Sequence, residues 1–299
     1  MTQFRYRAVT LAAAVVLSGC AGVPDAGLAA LHRSPLSDNE LVVMSFNIRM
    51  IFGNDASRQS WLERREDVVQ VIRTHSPTVV ALQEVESRAP EPMPASEQLA
   101  YLMSELPEYA FACTPEPGLL SRQPILFDAN RLRLLDEGMI LEAPVDRYRS
   151  GFRGRIASWA LFETKPVADS EPAVIRVINV HYHHLFTGSQ LAWSLRIRQF
   201  LKQTVSEHEA VIVLGDFNLP AGSQLLDPLR TAGLHHALPP SRTGSYHFFT
   251  GITLWPRIDH IFVNDRVTAI AGYLDYSRSE RGYPSDHFPV IARVDVGGR

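Results

Sequence analysis

The sequence predicts an α/β domain in which β-sheets stack on one another and helices cover them. Three observations lead there. Many short runs are apolar and rich in β-branched residues, the signature of buried strands. A few amphipathic stretches open on serine or stop at proline, as helices do. The two kinds do not alternate strictly, so the strands gather into packed sheets with helices outside.

The elements follow in order. LVVMSFNI (41–48) is a buried strand, and SWLERREDVVQVIRTHSP (60–77) is a helix with Ser60 as N-cap. Its apolar face carries Leu62, Val69 and Ile72, and Pro77 ends it. TVVALQEV (78–85) is a second buried strand, and SEQLAYLMSEL (96–106) a second helix closed before Pro107. PILF (124–127), RLRLLDEGMIL (131–141) and RIASWALFET (155–164) predict strands separated by turns with proline and glycine. Strand AVIRVINVHY (173–182), helix SQLAWSLRIRQFLKQTV (189–205) and strand AVIVLGDFN (210–218) come next. SQLLDPLRTAG (223–233) predicts a shorter helix interrupted at Pro228. Strands around YHFFT (246–250), RIDHIFV (257–263) and FPVIARVDV (288–296) close the chain, with AIAGYLDYS (269–277) extended. Neither an internal linker nor a fixed-period repeat occurs from 40 to 299, so one domain is expected there.

The preceding residues read differently. Arg5 and Arg7 precede an apolar run from Ala8 to Leu17, too short to span a bilayer comfortably and laid out like a secretory signal. It ends in LSGC, which fits a bacterial lipoprotein signal over 1–19, cleaved before Cys20 with lipid on that sulfur; a plain signal peptide is the alternative. Residues 20–39 then form a flexible tether of Gly, Pro, Ala and Ser, and the protein is expected in the cell envelope, anchored to a membrane on its extracytoplasmic side. The other cysteine, Cys113, has no partner once Cys20 is lipidated, so the domain relies on its core rather than on disulfides.

Of the 299 residues 45% are hydrophobic and 20% charged, with a net charge of −3, as in an ordinary globular protein. No Lys/Arg cluster suits long DNA, and no C-x-x-C or H-E-x-x-H pattern suits zinc. No protein partner is implied and a monomer is expected.

Several strands end in polar groups that a core has no use for. Asn47 follows VVMSF, Glu84 follows VVALQ, and Asn179 and His181 follow VIRVI. VIVLGD delivers Asp216 and Asn218, RI delivers Asp259, and the last strand opens on Asp286 and His287. Singly, Asn47 fits a turn, Glu84 a solvated strand end, GDFN a turn capped by Asp216, and SDH a polar loop. Gly215 fits a tight turn or a close backbone approach to a ligand. Jointly, strand ends at one rim can converge in space, and buried carboxylates need a partner or a metal.

The set SFNIR, LQEV, NVHYHH, GDFN, RIDHIFV and SDHFPV, in this order, resembles the endonuclease/exonuclease/phosphatase superfamily of deoxyribonuclease-I-like metal-dependent hydrolases. The resemblance spans residues 40–296, and WLERREDV and PILFDANRLRLLDEG are similar to its secreted bacterial branch. It implies a four-layer α/β sandwich, two central mixed sheets flanked by helices, with a Mg²⁺ or Mn²⁺ site at one end. It further implies Glu84 as metal ligand, with Asn47 beside it and Asp286 completing the site. His287 would pair with Asp259 and serve as general base or phosphate contact, while Asp216 and Asn218 hold the attacking water or the leaving group. Either His287 or Asp216 would activate the water. His181 would donate to a phosphoryl oxygen, and Asn179, Arg155 and Arg49 would contact substrate; a surface arginine is the alternative for Arg155.

Two positions depart from the family pattern. His183 stands where relatives often carry an acidic residue, and Arg49 stands where some carry a further metal ligand, which argues for one metal. The expected activity is hydrolysis of phosphate esters, first of phosphodiesters. Nucleic acid, a phospholipid headgroup and a sugar phosphate all remain open as substrates, and a catalytically silent scaffold lipoprotein is the alternative of another class. FFTGITLWP (248–256) is expected to pack as a hairpin near the site's mouth, with stacking on a base or sugar ring as the alternative.

Overall fold

The computed structural model describes residues 34–51, 59–85, 97–113, 123–143, 154–165, 170–241 and 243–298. The signal segment, Cys20 and most of the tether lie outside these residues. The first half comprises β1 (Glu40–Asn47), α1 (Trp61–His75), β2 (Val79–Gln83), α2 (Glu97–Glu105), β3 (Tyr109–Ala112), β4 (Ile125–Asp128), β5 (Leu132–Leu141) and β6 (Ile156–Thr164). The second comprises β7 (Val174–His181), α3 (Thr187–Thr204), β8 (Ala210–Asp216), α4 (Asp227–Arg230), β9 (His235–His236), β10 (Asp259–Val263), β11 (Thr268–Leu274) and β12 (Val290–Asp295).

The strands form two six-stranded sheets, ordered β11-β12-β1-β2-β4-β3 and β5-β6-β7-β8-β10-β9. Each has one parallel pair at its centre, β1 with β2 and β7 with β8, among antiparallel neighbours. Alternation along each strand decides what its two faces bury. Leu41 and Val43 of β1, Ile212 and Leu214 of β8, and Val290 and Ala292 of β12 share one core between the sheets. Val42, Met44 and Phe46 pack instead on Trp61, Val68 and Ile72 of α1 and on Leu102 of α2. Val211 and Val213 pack on Trp193 and Ile197 of α3. Helices, sheet, sheet, helices: the predicted four-layer sandwich is what forms.

α1 opens as expected, the Ser60 side chain accepting from Glu63 N–H, but it ends at Ser76 in the left-handed region rather than at Pro77. Its buried face runs through Trp61, Arg64, Val68 and Ile72, whereas Leu62 is exposed. The expected strand over 246–250 does not form. Phe248 and Phe249 take φ of 52° and 61°, which breaks an extended run, and Tyr246 keeps only an isolated bridge to His287. The 223–233 helix shrinks to a 3₁₀ turn (Gln224–Leu226) and the single turn α4, which Pro228 begins rather than interrupts. The two-residue β9 and the four-residue β3 carried too little pattern to be seen in the sequence. Cys113 is buried and forms no disulfide among the described residues, and burial pushes its thiol up to about 12.

Next to β9, the rings of His236 and His260 lie 5.1 Å apart, and each has a buried Nδ1 without a hydrogen-bond partner among the described residues. Burial pushes His236 down to about 4 and His260 down to about 3, with Arg257 and Arg230 acting in the same direction. Both are neutral in the folded protein, while the unfolded chain takes up protons below about pH 6.5. Their contribution is therefore complete above that pH and is lost on acidification toward the folded values. Urea unfolding is expected to lose roughly 2 kcal/mol per histidine between pH 7 and 5. A His236→Phe variant should flatten that dependence, and an unchanged slope would refute the assignment.

Candidate active site

The site forms at one rim because the topology sends the right strand ends there. β1 and β2 run parallel and finish at Asn47 and Gln83, paired in register, and β7 and β8 finish at His181 and Asp216, also paired. β10 and β12 run opposite to these, so their beginnings meet the same rim: Asp259 pairs with Asp216, and His287 lies just before β12. Asn47, His181, Asp216 and Asp259 all fall on the alternation phase that faces the opposite sheet. The sheets therefore aim their polar ends at each other.

Asp216 is the hub. Its Oδ1 accepts the Asn218 N–H at 2.8 Å, and its Oδ2 accepts the Asn47 Nδ2–H at 3.2 Å. Nε2 of His181 and of His287 lie 3.6 and 3.9 Å from the same Oδ2. His287 Nδ1 is 2.8 Å from Asp259 Oδ2, and two backbone N–H groups, those of Ile258 and Asp259, donate to Ser245 Oγ at 3.1 Å. Arg155 Nη1 lies 3.2 Å from His181 Nδ1. A guanidinium can only donate, so His181 carries its proton on Nε2 and offers it into the cleft.

The charges are strongly coupled. Burial, then the Asp259 charge, pushes Asp216 up to about 7, against the pull of His287 and the Asn218 N–H. Burial alone would lower His287, but Asp259, as both anion and hydrogen-bond acceptor, together with Asp216 and Asp286, raises it to about 10. Burial and the Arg155 charge hold His181 well below the usual histidine range. One imidazole is thus cationic and the other neutral, both with Nε2–H facing Asp216.

Glu84 stands just past β2 at φ 60°, and its Oε2 accepts the Met50 N–H at 3.1 Å. Its Oε1 lies 3.3 Å from Asn47 Nδ2 and 4.0 Å from His181 Nε2. Its side chain is 22% exposed, against 2% for Asp216, so it is the carboxylate open to an ion that keeps several waters. Glu84 Oε1 and Asp216 Oδ2 lie 4.0 and 3.6 Å from the same His181 Nε2, so two carboxylates share this end of the cleft, and hard oxygen donors of that kind fit a metal ion held by Glu84. Asp216, Asp259 and His287 also place ligand atoms within 4.8 Å of one another. A metal there would break the Asp259–His287 hydrogen bond, which makes that trio a proton-handling group rather than the better cage.

Three expectations change. Asn179 is no substrate contact: its Nδ2 donates to Leu82 O and Pro124 O, and its Oδ1 accepts from Gln83 Nε2 at 2.8 Å. It is wholly buried and ties the two sheets together. Asp286 is paired with a cation rather than left open as a ligand; its Oδ2 meets Arg49 Nη1 at 2.5 Å, and that guanidinium also lies over the Phe249 ring. Asn47 turns its NH₂ toward Glu84 and Asp216 and its oxygen to the Arg49 N–H, acting as a donor between carboxylates. Asn218 lies at the site with its own Nδ2 bonded to Tyr182 O. His183, in place of an acidic residue, lies 3.9 Å from Glu142 Oε2 beyond the end of β5.

The structure adds residues that were not foreseen. Arg64 is buried and donates to the carbonyls of Ile48, Arg49, Pro284 and Gln59, pinning the loops that carry Arg49 and Asp286. A cation on the apolar stripe of a helix was a signal for it. Ser285 Oγ donates to Asn47 O at 2.6 Å, and the Tyr246 ring packs against His287 at 4.8 Å. The expected hairpin packing of 248–256 does not hold: Phe248, Ile252, Leu254 and Trp255 are 55%, 66%, 71% and 56% exposed.

Carboxylates and histidines that meet at one rim of two stacked sheets are the groups that hydrolysis of an ester needs. A family model, the endonuclease/exonuclease/phosphatase family, matches residues 44–287, and the chain belongs to that family, whose members hydrolyse phosphate esters. Among solved structures, an endonuclease/exonuclease/phosphatase family protein from Bacteroides thetaiotaomicron is 23% identical, covering 85% of this chain and 97% of its own, with a TM-score of 0.71. A mannosyl-6-phosphatase of the same organism is 22% identical over 85% of this chain and 99% of its own, with a TM-score of 0.70. The human Nocturnin catalytic domain with bound sulfate is 20% identical over 88% and 96%, with a TM-score of 0.63. No curated protein matches the chain.

Proposed function

We propose that this protein is a divalent-metal-dependent phosphoesterase, using Mg²⁺ or Mn²⁺, with phosphodiesters as its first substrate class. The observation that carries this is the buried Asp216 Oδ2, which three donors surround: Asn47 Nδ2, His181 Nε2 and His287 Nε2. Glu84 would hold the metal ion, which when bound offsets negative charge on the phosphoryl oxygens. Asp216 accepts a proton from the attacking water as the water oxygen bonds to phosphorus and the ester P–O bond breaks. The leaving oxygen takes its proton from solvent. His181 and His287 donate from Nε2 to the phosphoryl oxygens, with Asp259 fixing the His287 ring.

The test is hydrolysis by the full chain, with and without Mg²⁺ or Mn²⁺, of bis-p-nitrophenyl phosphate, plasmid DNA, sphingomyelin and sugar phosphates. The similarity to a mannosyl-6-phosphatase puts hexose 6-phosphates in that panel. Turnover abolished by a chelator and restored by the ion is the expected result. Folded, metal-supplied protein that turns over nothing would favour the scaffold alternative. We also propose that the enzyme works outside the cytoplasm on a lipid tether, supported by Arg5, Arg7, the apolar run and Cys20. Palmitate labelling that persists in a Cys20→Ser variant would rule the tether out.

A further inference from the structure

We infer that Tyr246 is a substrate-contact residue whose hydroxyl donates a hydrogen bond to the phosphoryl group; this rests on the phosphoesterase function proposed above. The chain around it is laced to the catalytic strands. Tyr246 forms the isolated antiparallel bridge with His287, Phe288 N–H donates to Ser245 O at 2.7 Å, and His247 N–H donates to Asp286 O at 2.8 Å. Ser245 Oγ holds the Asp259 N–H at 3.1 Å, so this one segment grips both members of the Asp259–His287 pair. Wherever the pair goes, Tyr246 goes with it.

The ring backs His287, with centroids 4.8 Å apart, and Phe248 lies on it at 4.3 Å. The hydroxyl is different. It belongs to the wall of the cleft, since the ring that carries it lies on His287, whose Nε2 stands 3.9 Å from Asp216 Oδ2. It forms no hydrogen bond with any described residue, and Tyr246 is only half-buried. A tyrosine used only for packing usually gives its hydroxyl a partner or leaves it in open solvent. Here a donor without a hydrogen-bond partner among the described residues stands beside the His287 ring, at the wall of the cleft into which His181 and His287 turn their Nε2 atoms. Burial, then the Asp286 charge, raises its pKa, so it stays protonated as a donor. A phosphoryl group in the cleft is the acceptor it fits.

The test separates hydroxyl from ring. Full-length wild type and Tyr246→Phe are compared by kcat/KM on bis-p-nitrophenyl phosphate and p-nitrophenyl phosphate, and by calorimetric titration with inorganic phosphate in Mg²⁺. The expected result is a loss of about tenfold or more in kcat/KM and a phosphate Kd raised about fivefold or more, as for a hydrogen bond to a charged group. Mg²⁺ affinity and thermal midpoint should not move. If Tyr246→Phe matches wild type within about twofold in both measurements while Tyr246→Ala is impaired, the ring only supports His287 and the inference is overturned. A wild type that cleaves no ester defeats the phosphoesterase function instead, and the phosphate titrations still decide the contact.

Discussion

His287→Ala is expected to lower kcat by about a thousandfold, because the substitution removes a preorganised, cationic donor to the phosphoryl oxygens. His287 Nδ1 is committed to Asp259 at 2.8 Å, which leaves Nε2 as the only ring nitrogen that can act in the cleft. Alanine also leaves the buried Asp259 without the cation that offsets its charge. That costs about 3 kcal/mol of stability, so the rate must be taken per folded molecule. The measurement is kcat on bis-p-nitrophenyl phosphate at saturating Mg²⁺, with circular dichroism to count folded protein. A variant within about tenfold of wild type would remove His287 from the reaction centre.

Gly215→Ala should have the largest effect on stability, about 4 kcal/mol or more, for a reason unrelated to ligands. A Cβ there would sit 2.0 Å from the Val180 carbonyl oxygen, an atom fixed in the parallel β7–β8 ladder, where Val180 and Gly215 are register partners. Its φ of 147° adds a conformation that residues with a side chain rarely adopt. The next residue is Asp216, so any shift that relieves the clash also moves the hub of the site. Chemical denaturation should show the loss, and activity should fall further than the folded fraction does. Stability within about 1 kcal/mol of wild type would mean that the ladder can yield at this point.

Asn179 and Asp286 show how far sequence reasoning reached into the site. Both stand in motifs that place them at the correct rim, and both are there. Their tasks were not legible, because each is set by partners remote in the chain. Asn179 spends its amide on Leu82, Gln83 and Pro124 of the opposite sheet, and Asp286 is neutralised by Arg49 at the end of β1. The Asp259–His287 contact, by contrast, was implied by the family resemblance, and the structure places those atoms 2.8 Å apart. Tyr246 had no signal of its own. It sits in a run of aromatic residues that patterning reads as a strand, and only two left-handed residues, Phe248 and Phe249, turn that run into a loop beside His287.

By itself the sequence determined the α/β class, the order of most elements, the Ser60 cap and the polar residues that end the strands. These are local properties: side-chain branching, periodicity and the chemistry of a few positions. Only the tertiary structure decided which side of each strand faces the other sheet. β1, β2, β7 and β8 are apolar on both faces, because one face meets the second sheet and the other meets helices. Alternation then carries no contrast between inside and outside. The phase that turns Asn47, His181, Asp216 and Asp259 into one cleft is fixed by packing between layers, where residues more than a hundred positions apart come within hydrogen-bonding distance.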